Sequence, residues 1–399
     1  MNRVVFVDGV RTGFGRLGGS LREYSASELA GMTIRRLVEK TGILERGTID
    51  SVFAGAAGGD SLSFDPARYA MLYAGLPQEV SASFVEMQCG SAIDSINHAA
   101  WKILSGSAEV MIAGGMESHS QLYAKFSMAV QPYKMIPPSA IRQQLTPVAN
   151  DDIPMLEVSD RMAERWNVTR EEADEFALRS QLRAKAATDK GYFKEEIIPV
   201  TVHGGKREPD RIFDFDEHLR PDSTMEGLGK LKSVRAGGIS TAGNSSGIND
   251  GAAFVLMMTE EKAKELGYEP YAAWVAGADY GVSPKWMGIG PAYSNLKALK
   301  HAGLKISDLD VIECNEAFAA QNLSVIREME AQSGEKINMD NWNPNGGAIA
   351  FGHANGASGC RIAIFAMKEL ARRGGRYGLF SSCCGGGQGV TTIIENLRR

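Results

Sequence analysis

The chain has 399 residues, 44% of them hydrophobic, enough for a full core and for two or three domains. Its 43 basic and 48 acidic side chains leave a net charge of −5, and no Lys/Arg run forms the footprint of a nucleic-acid or membrane-surface binder. No apolar run approaches the roughly 20 residues of a membrane helix, the start MNRVVFVDGV lacks the regions of a signal peptide, and five cysteines are too sparse for a disulfide framework; a soluble cytoplasmic protein with free thiols is expected.

RVVFVDG (3–9) reads as a buried strand. GFGRLGG (13–19) follows it with Gly13, Gly15 and Gly18 at the spacing of a dinucleotide-binding loop. The next helical signal begins only at Ser25, so these glycines are expected to form a turn-rich loop and not a phosphate cradle. SASELAGMTIRRLVEKTG (25–42) opens with a capping box, Ser25 to Glu28, and closes on Gly42. IDSVFAG (49–55) and AEVMIAGG (108–115) are further strands. Between them, an apolar stripe from Ala92 to Leu104 predicts a helix with Cys89 in its first turn. Unpaired N–H groups and the helix dipole favour a thiolate there, which makes Cys89 a candidate nucleophile; a small buried residue at a helix start is the competing reading.

Residues 119–250 differ in composition, with the prolines of QPYKMIPPSA, a charged helix over 169–191 and the polar run HGGKREPDRIFDFDEHLRPDSTMEG. They read as an insertion forming a lid or binding wall. LDVIECN (309–315) is another strand, and Asn315 at its end is placed either for a site or as the N-cap of a following helix. His353 lies among Gly346, Gly347, Gly352, Gly356 and Gly359, a density that suits close approach of backbone to a ligand. In SSCCGGGQG (381–389), the period of two sends the neighbouring thiols Cys383 and Cys384 to opposite faces if the strand reaches them. No metal-ligand spacing occurs.

The chain also repeats itself. Gly90/Gly356, Ile96/Ile362, Ala100/Ala366, Lys102/Lys368 and Leu104/Leu370 match at one constant offset, and each helix so aligned runs into a strand that ends in glycines. Two related α/β halves follow.

Taken together, CGSA with Cys89, GGMES (114–118), DEHLRPDSTMEGLGKLKSV (216–234), TAGNSSGINDGAA (241–253), NEAF (315–318), GGAIAFGHANGASG (346–359) and CCGGGQG (383–389) resemble the thiolases, the acetyl-CoA acetyltransferase and 3-ketoacyl-CoA thiolase family. The resemblance spans essentially the whole chain. It implies a duplicated thiolase fold, two βαβαβαββ halves in αβαβα layers: 1–118 with 251–270, an inserted loop domain over 119–250, and 271–399. It implies coenzyme A thioesters as substrates, no bound cofactor or metal, and a homodimer or homotetramer, with fatty-acid β-oxidation as the expected setting.

By motif match, Cys89 resembles the acyl-accepting nucleophile, Cys383 the second catalytic thiol, His353 the histidine that activates Cys89, and Asn315 the residue that holds a water. His353 with that water would form one oxyanion hole, and the backbone N–H groups of Cys89 and Gly385 the other. Ser246 and Arg220 match coenzyme A contacts; Met155, Met287 and Phe318 match the pocket wall. Cys383→Ala is then expected to abolish proton transfer and Cys384→Val to cost little.

The chain departs from the family pattern where Asn-x-x-Cys reads Glu86-Met87-Gln88-Cys89, where Gly-His-Pro reads Gly352-His353-Ala354, and where a His-Met-Gly reads Pro154-Met155-Leu156. These departures surround the acyl group, so a longer, branched or aromatic 3-oxoacyl-CoA is as good a candidate as acetoacetyl-CoA. A ketoacyl-synthase-like condensing enzyme and a non-catalytic acyl-CoA binder are the alternatives.

Overall fold

Local signals set the elements, and tertiary contacts shift some of their ends. The computed structural model describes residues 3–127, 133–134, 137–204 and 209–399; residues 1–2, 128–132, 135–136 and 205–208 lie outside it, including parts of the QPYKMIPPSA and HGGKRE stretches. The first half runs through β1 (Val4–Thr12), α1 (Ala26–Thr41), β2 (Ser51–Gly55), α2 (Pro66–Tyr73), β3 (Ser81–Val85), α3 (Ser91–Leu104) and β4 (Val110–Ser118). After an insertion with helices α4 (Met155–Arg165) and α5 (Arg170–Asp189), β5 (Asn249–Thr259) returns to the same sheet. The second half repeats the plan with β6 (Ala272–Gly281), α6 (Gly290–Ala302), β7 (Leu309–Cys314), α7 (Ala319–Ser333), α8 (Asn355–Arg373), β8 (Tyr377–Cys384) and β9 (Gln388–Asn396).

The pairing is duplicated as well. In the first half the order is β3-β2-β4-β5-β1, with parallel pairs β3/β2 and β2/β4 and antiparallel pairs β4/β5 and β5/β1. In the second it is β7-β8-β9-β6, one parallel pair followed by two antiparallel pairs. The fifth strand of the second half is reduced to one parallel bridge, Ile312 to Trp342. Asparagines finish that edge: Asn343 Oδ1 accepts from Cys314 N–H at 2.8 Å, Asn343 Nδ2 donates to Cys314 O at 2.9 Å, and Asn341 Nδ2 donates to Leu309 O at 2.9 Å. The two sheets meet where Val5 and Phe6 pair with Ala273 and Ala272.

α3 and α8 fill the middle layer, their Ile96, Ala100, Ile362 and Ala366 sharing one buried cluster with Met111, Val255 and Phe380 of the strands. α8 is buried without interruption from Gly356 to Leu370, the pattern of a helix with sheet on both sides. α1 and α2 cover the outer face of the first sheet, and α4, α6 and α7 that of the second. The result is the expected α/β architecture of two βαβαβαββ halves in five layers. Among the described residues no helix is long and apolar enough to cross a membrane.

α1 is capped as read: Ser25 Oγ accepts the Glu28 N–H, Glu28 returns the bond to Ser25, and Gly42 ends the helix at φ 63°, a cap contributing about 1 kcal/mol. GFGRLGG forms no helix before Ala26; within it Gly15 and Arg16 pair antiparallel with Asp250 and Asn249 of β5, and the rest is loop. A Cβ on Gly13 would sit 2.1 Å from Phe215 O, so glycine here admits the backbone of the inserted segment. Two helix starts are corrected. Cys89 lies in a 3₁₀ turn, Gln88–Gly90, just ahead of α3, and α7 begins at Ala319 with Phe318 at its N-cap. Asn315 is therefore no helix cap.

Candidate active site

β3 and the turn after it carry Cys89 to the point where α3 begins, and β8 carries the two C-terminal cysteines. The strand does reach both of these. Cys383 faces the outer layer with Met155, Met287 and Phe318, whereas Cys384 faces the middle layer, where its Sγ is 2.4 Å from the place a Cβ on Gly90 would occupy. Both are fully buried. Cys384 therefore packs directly on Gly90, and Cys384→Val tests how much room that contact leaves.

The Cys89 thiol is pushed up by burial first, then by the Cys383 thiol and the Glu117 carboxylate, while the backbone N–H groups of Cys89 and Gly385 pull it down. Burial thus works against a resting thiolate at Cys89 and opposes the N–H groups that favour one. Cys383 is raised to about 12 by burial and then by Cys314. Both shifts favour protonated thiols at rest, and the Gly385 N–H is among the groups that act on the Cys89 sulfur.

His353 is buried, and burial, then His119 and Arg361, lower it to about 3, so it rests neutral. Ser358 Oγ donates to Ala354 O at 3.0 Å, which leaves its lone pair for the His353 Nδ1–H at 2.7 Å. By this network the lone pair of His353 sits on Nε2, 3.3 Å from the Nδ2 of Asn315. Asn315 Oδ1 is buried without a partner, an open acceptor suited to an ordered water. Asn315 is held in turn by its own N–H, which donates to Ser381 O two residues before Cys383.

Glu117 ties these parts together. Its carboxylate accepts N–H groups from Ala57, Gly58 and Gly356, joining β4 to the His353 loop, and it also acts on Cys89. A Cβ on Gly356 would lie 2.4 Å from Met116 O, so that loop tolerates only glycine.

A path leads outward from this centre. Residues 245–248 run between α7 and the His353 loop, with Ser245 bridged to Phe318, Ser246 N–H donating to Ala317 O at 3.0 Å and Ile248 bridged to His353. A Cβ on Gly247 would meet the His218 ring at 2.2 Å. His218 is lowered to about 4 by burial, then by Arg220 and Arg16. Exposed Arg220 opens a cavity of about 340 Å³ with Ser223, Leu228 and Leu231.

Among the predicted residues, Asn315 contacts His353, Cys383 shares a buried cluster with Met155, Met287 and Phe318 and acts on Cys89, and Ser246 bonds to Ala317 beside Phe318, whereas Arg220 lines a separate cavity. Sequence reading passed over Glu117, His119, His218 and Leu145. Leu145 comes from the insertion and lies over the glycine loop, its Cδ1 3.3 Å from a Cβ built on Gly385. The motifs GGMES and DEHLR already contained Glu117 and His218; nothing in the sequence marked His119 or Leu145.

Two family models match the chain, Thiolase, N-terminal domain over residues 4–261 and Thiolase, C-terminal domain over 268–396. Among curated relatives, a 3-oxoadipyl-CoA/3-oxo-5,6-dehydrosuberyl-CoA thiolase of Escherichia coli (strain K12) is 41% identical over 410 residues, covering 100% of both chains. An acetyl-CoA acetyltransferase of Syntrophomonas wolfei is 40% identical over 401 residues, covering 99% of each. Two solved structures superpose over 99% of both chains: the Bacillus anthracis acetyl-CoA acetyltransferase at TM-score 0.91 and 37% identity, and human mitochondrial 3-ketoacyl-CoA thiolase at 0.90 and 36%.

Proposed function

The chain belongs to the thiolase family, and from that premise we propose that it performs reversible thiolytic cleavage of a 3-oxoacyl-CoA through an acyl-Cys89 intermediate, with Cys383 as acid and base. The observation that carries this reading is the meeting of half-buried Cys89 and buried Cys383 at one glycine loop, where the Gly385 N–H also acts on the Cys89 sulfur.

In the cleavage direction, His353 Nε2 takes the Cys89 proton as the sulfur attacks the 3-oxo carbon. A resting thiol pushed up and a resting histidine near 3 disfavour proton transfer in the free enzyme, so the proton moves with the attack and not before it. The N–H groups of Cys89 and Gly385 receive the oxyanion on that carbon. The C2–C3 bond breaks, and the enolate oxygen of the acetyl-CoA leaving group is held by His353 Nε2–H and by a water on Asn315 Oδ1. Cys383 delivers its proton to C2. Acetyl-CoA departs, Cys383 takes the proton of an incoming coenzyme A thiol, and that sulfur attacks the acyl-Cys89 carbonyl; the shortened acyl-CoA leaves as the Cys89 sulfur is released and takes its proton back from His353. Condensation is the reverse.

Coenzyme A lies along the insertion, its pantetheine by Ser246 and its adenine end by Arg220. The halves divide as 1–118 with 251–270, then 119–250, then 271–399, and the molecule acts as a cytoplasmic homodimer or homotetramer. For the acyl group, relatives that cleave 3-oxoadipyl-CoA favour a carboxylate-tipped chain over the fatty-acid β-oxidation setting expected from sequence. As the partner of that carboxylate we take Lys285, two residues before Met287 in sequence and paired with Asp151 at 2.9 Å.

Incubation with 3-oxoadipyl-CoA, 3-oxohexanoyl-CoA and acetoacetyl-CoA, followed by intact mass, tests both parts. An acyl adduct lost in Cys89→Ala supports the mechanism. Turnover that persists in that variant defeats it, and preference for the uncharged chain defeats the substrate assignment.

A further inference from the structure

The departure at Glu86 puts a carboxylate three residues before the nucleophile, yet its charge is not spent on Cys89. The carboxylate acting on that thiol is Glu117. Glu86 is exposed and turned back on its own turn: its Oε1 accepts the Gln88 N–H at 2.8 Å and the Gln88 Nε2–H at 2.6 Å.

Gln88 needs such a grip. Its φ is 50°, in the left-handed region that side chains other than Gly, Asn and Asp rarely enter. The turn has to reverse there to pass from the end of β3 into α3. Two bonds from one anionic oxygen, both charge-assisted, oppose that strain. Ser91 grips the other side, its Oγ accepting Met87 N–H at 2.9 Å and donating to Gln88 O at 2.6 Å. The side chain so held lies on the glycine loop: Gln88 Cγ and Oε1 are 3.1 and 3.3 Å from where a Cβ on Gly385 would be. The turn that carries the Cys89 sulfur and the loop that carries the Gly385 N–H therefore touch through Gln88.

We propose that Glu86 is a positioning residue for the reaction: by clamping Gln88 in its left-handed conformation it sets the spacing between the Cys89 thiol and the Gly385 N–H. This rests on the reading of Cys89 and Gly385 given above. What the clamp requires is an acceptor at position 86, not a charge.

The test combines Glu86→Ala, Glu86→Gln and Gln88→Gly with amide exchange and single-turnover acylation. In Glu86→Ala, exchange protection at the Gln88 amide is lost in the resting enzyme, the acylation rate falls about tenfold or more, and KM stays within about twofold. Glu86→Gln, which keeps an acceptor oxygen, restores most of the rate. Glycine at 88 carries no left-handed strain, so in the Gln88→Gly background Glu86→Ala adds less than about a threefold loss. Unchanged exchange in Glu86→Ala overturns the clamp. Lost exchange with an unchanged rate overturns its link to catalysis, and Glu86→Gln as impaired as Glu86→Ala shows that charge and not clamping is at work. The exchange measurement involves no turnover, so it stands apart from the outcome for Cys89→Ala.

Discussion

Ser358→Ala removes the hydroxyl that receives the Nδ1 proton of His353. In the native site Nδ1–H donates to Ser358 Oγ at 2.7 Å and Nε2 keeps its lone pair. Without the hydroxyl the fully buried Nδ1–H has no acceptor, at about 1–3 kcal/mol. The ring relieves this by moving the proton to Nε2, which then faces the Asn315 Nδ2 donor at 3.3 Å and has no lone pair for the Cys89 proton. Either route removes at least one bond's worth from the acylation transition state, so the acylation rate falls about 10- to 100-fold, since each 1.36 kcal/mol is tenfold. Single-turnover formation of the acyl-enzyme measures this without interference from product release, and Ser358→Thr, which keeps a hydroxyl, should lose far less. A Ser358→Ala enzyme that acylates within about twofold of the wild type refutes the tautomer argument.

Cys383→Ala should still form acyl-Cys89 from acetyl-CoA yet fail to exchange the α-protons of acetyl-CoA with solvent deuterium. Cys384→Val should retain activity per folded molecule but lose about 1–3 kcal/mol of unfolding free energy in denaturant titrations, from overpacking against Gly90. Asn315→Ala, by releasing the water expected on Oδ1, should lower kcat by about 10²-fold or more with little change in KM. Acid stability gives a signed prediction. Folded His353 near 3 lies below the unfolded value of 6.5, so the unfolded state binds the extra proton as pH falls and stability is lost from pH 6.5 downward. By pH 4 this amounts to about 3 kcal/mol, and His353→Gln should show a correspondingly shallower decline between those pH values in urea titrations.

Features carried by neighbouring residues were legible in the sequence. The Ser25–Glu28 box and Gly42 end α1 where they were read, and the period of two along β8 separated Cys383 from Cys384 before any contact was known. Features made by distant segments were not. α7 begins four residues after Asn315 because backbone bonds to Ser381 and to residues 244–246 hold 315–319 in an extended path. The thiol of Cys89 is raised and not lowered because burial, Cys383 and Glu117 converge on it from three parts of the chain. Motif matching found the residues that meet, and the sequence could not say what their meeting does to their protons.

The duplication is unequal at its rims, and this governs growth. β3 ends the first sheet with only β2 beside it and with Ser81, Ser83 and Phe84 exposed, a free hydrogen-bonding border. The opposite border is stitched shut by Trp342 and the side chains of Asn341 and Asn343. A molecule with two open borders could stack copy upon copy into a fibre. With one border sewn, a copy pairing edge to edge with this large sheet would have only β3 to use among the described residues, and such a pair would leave the sheet no border for a third.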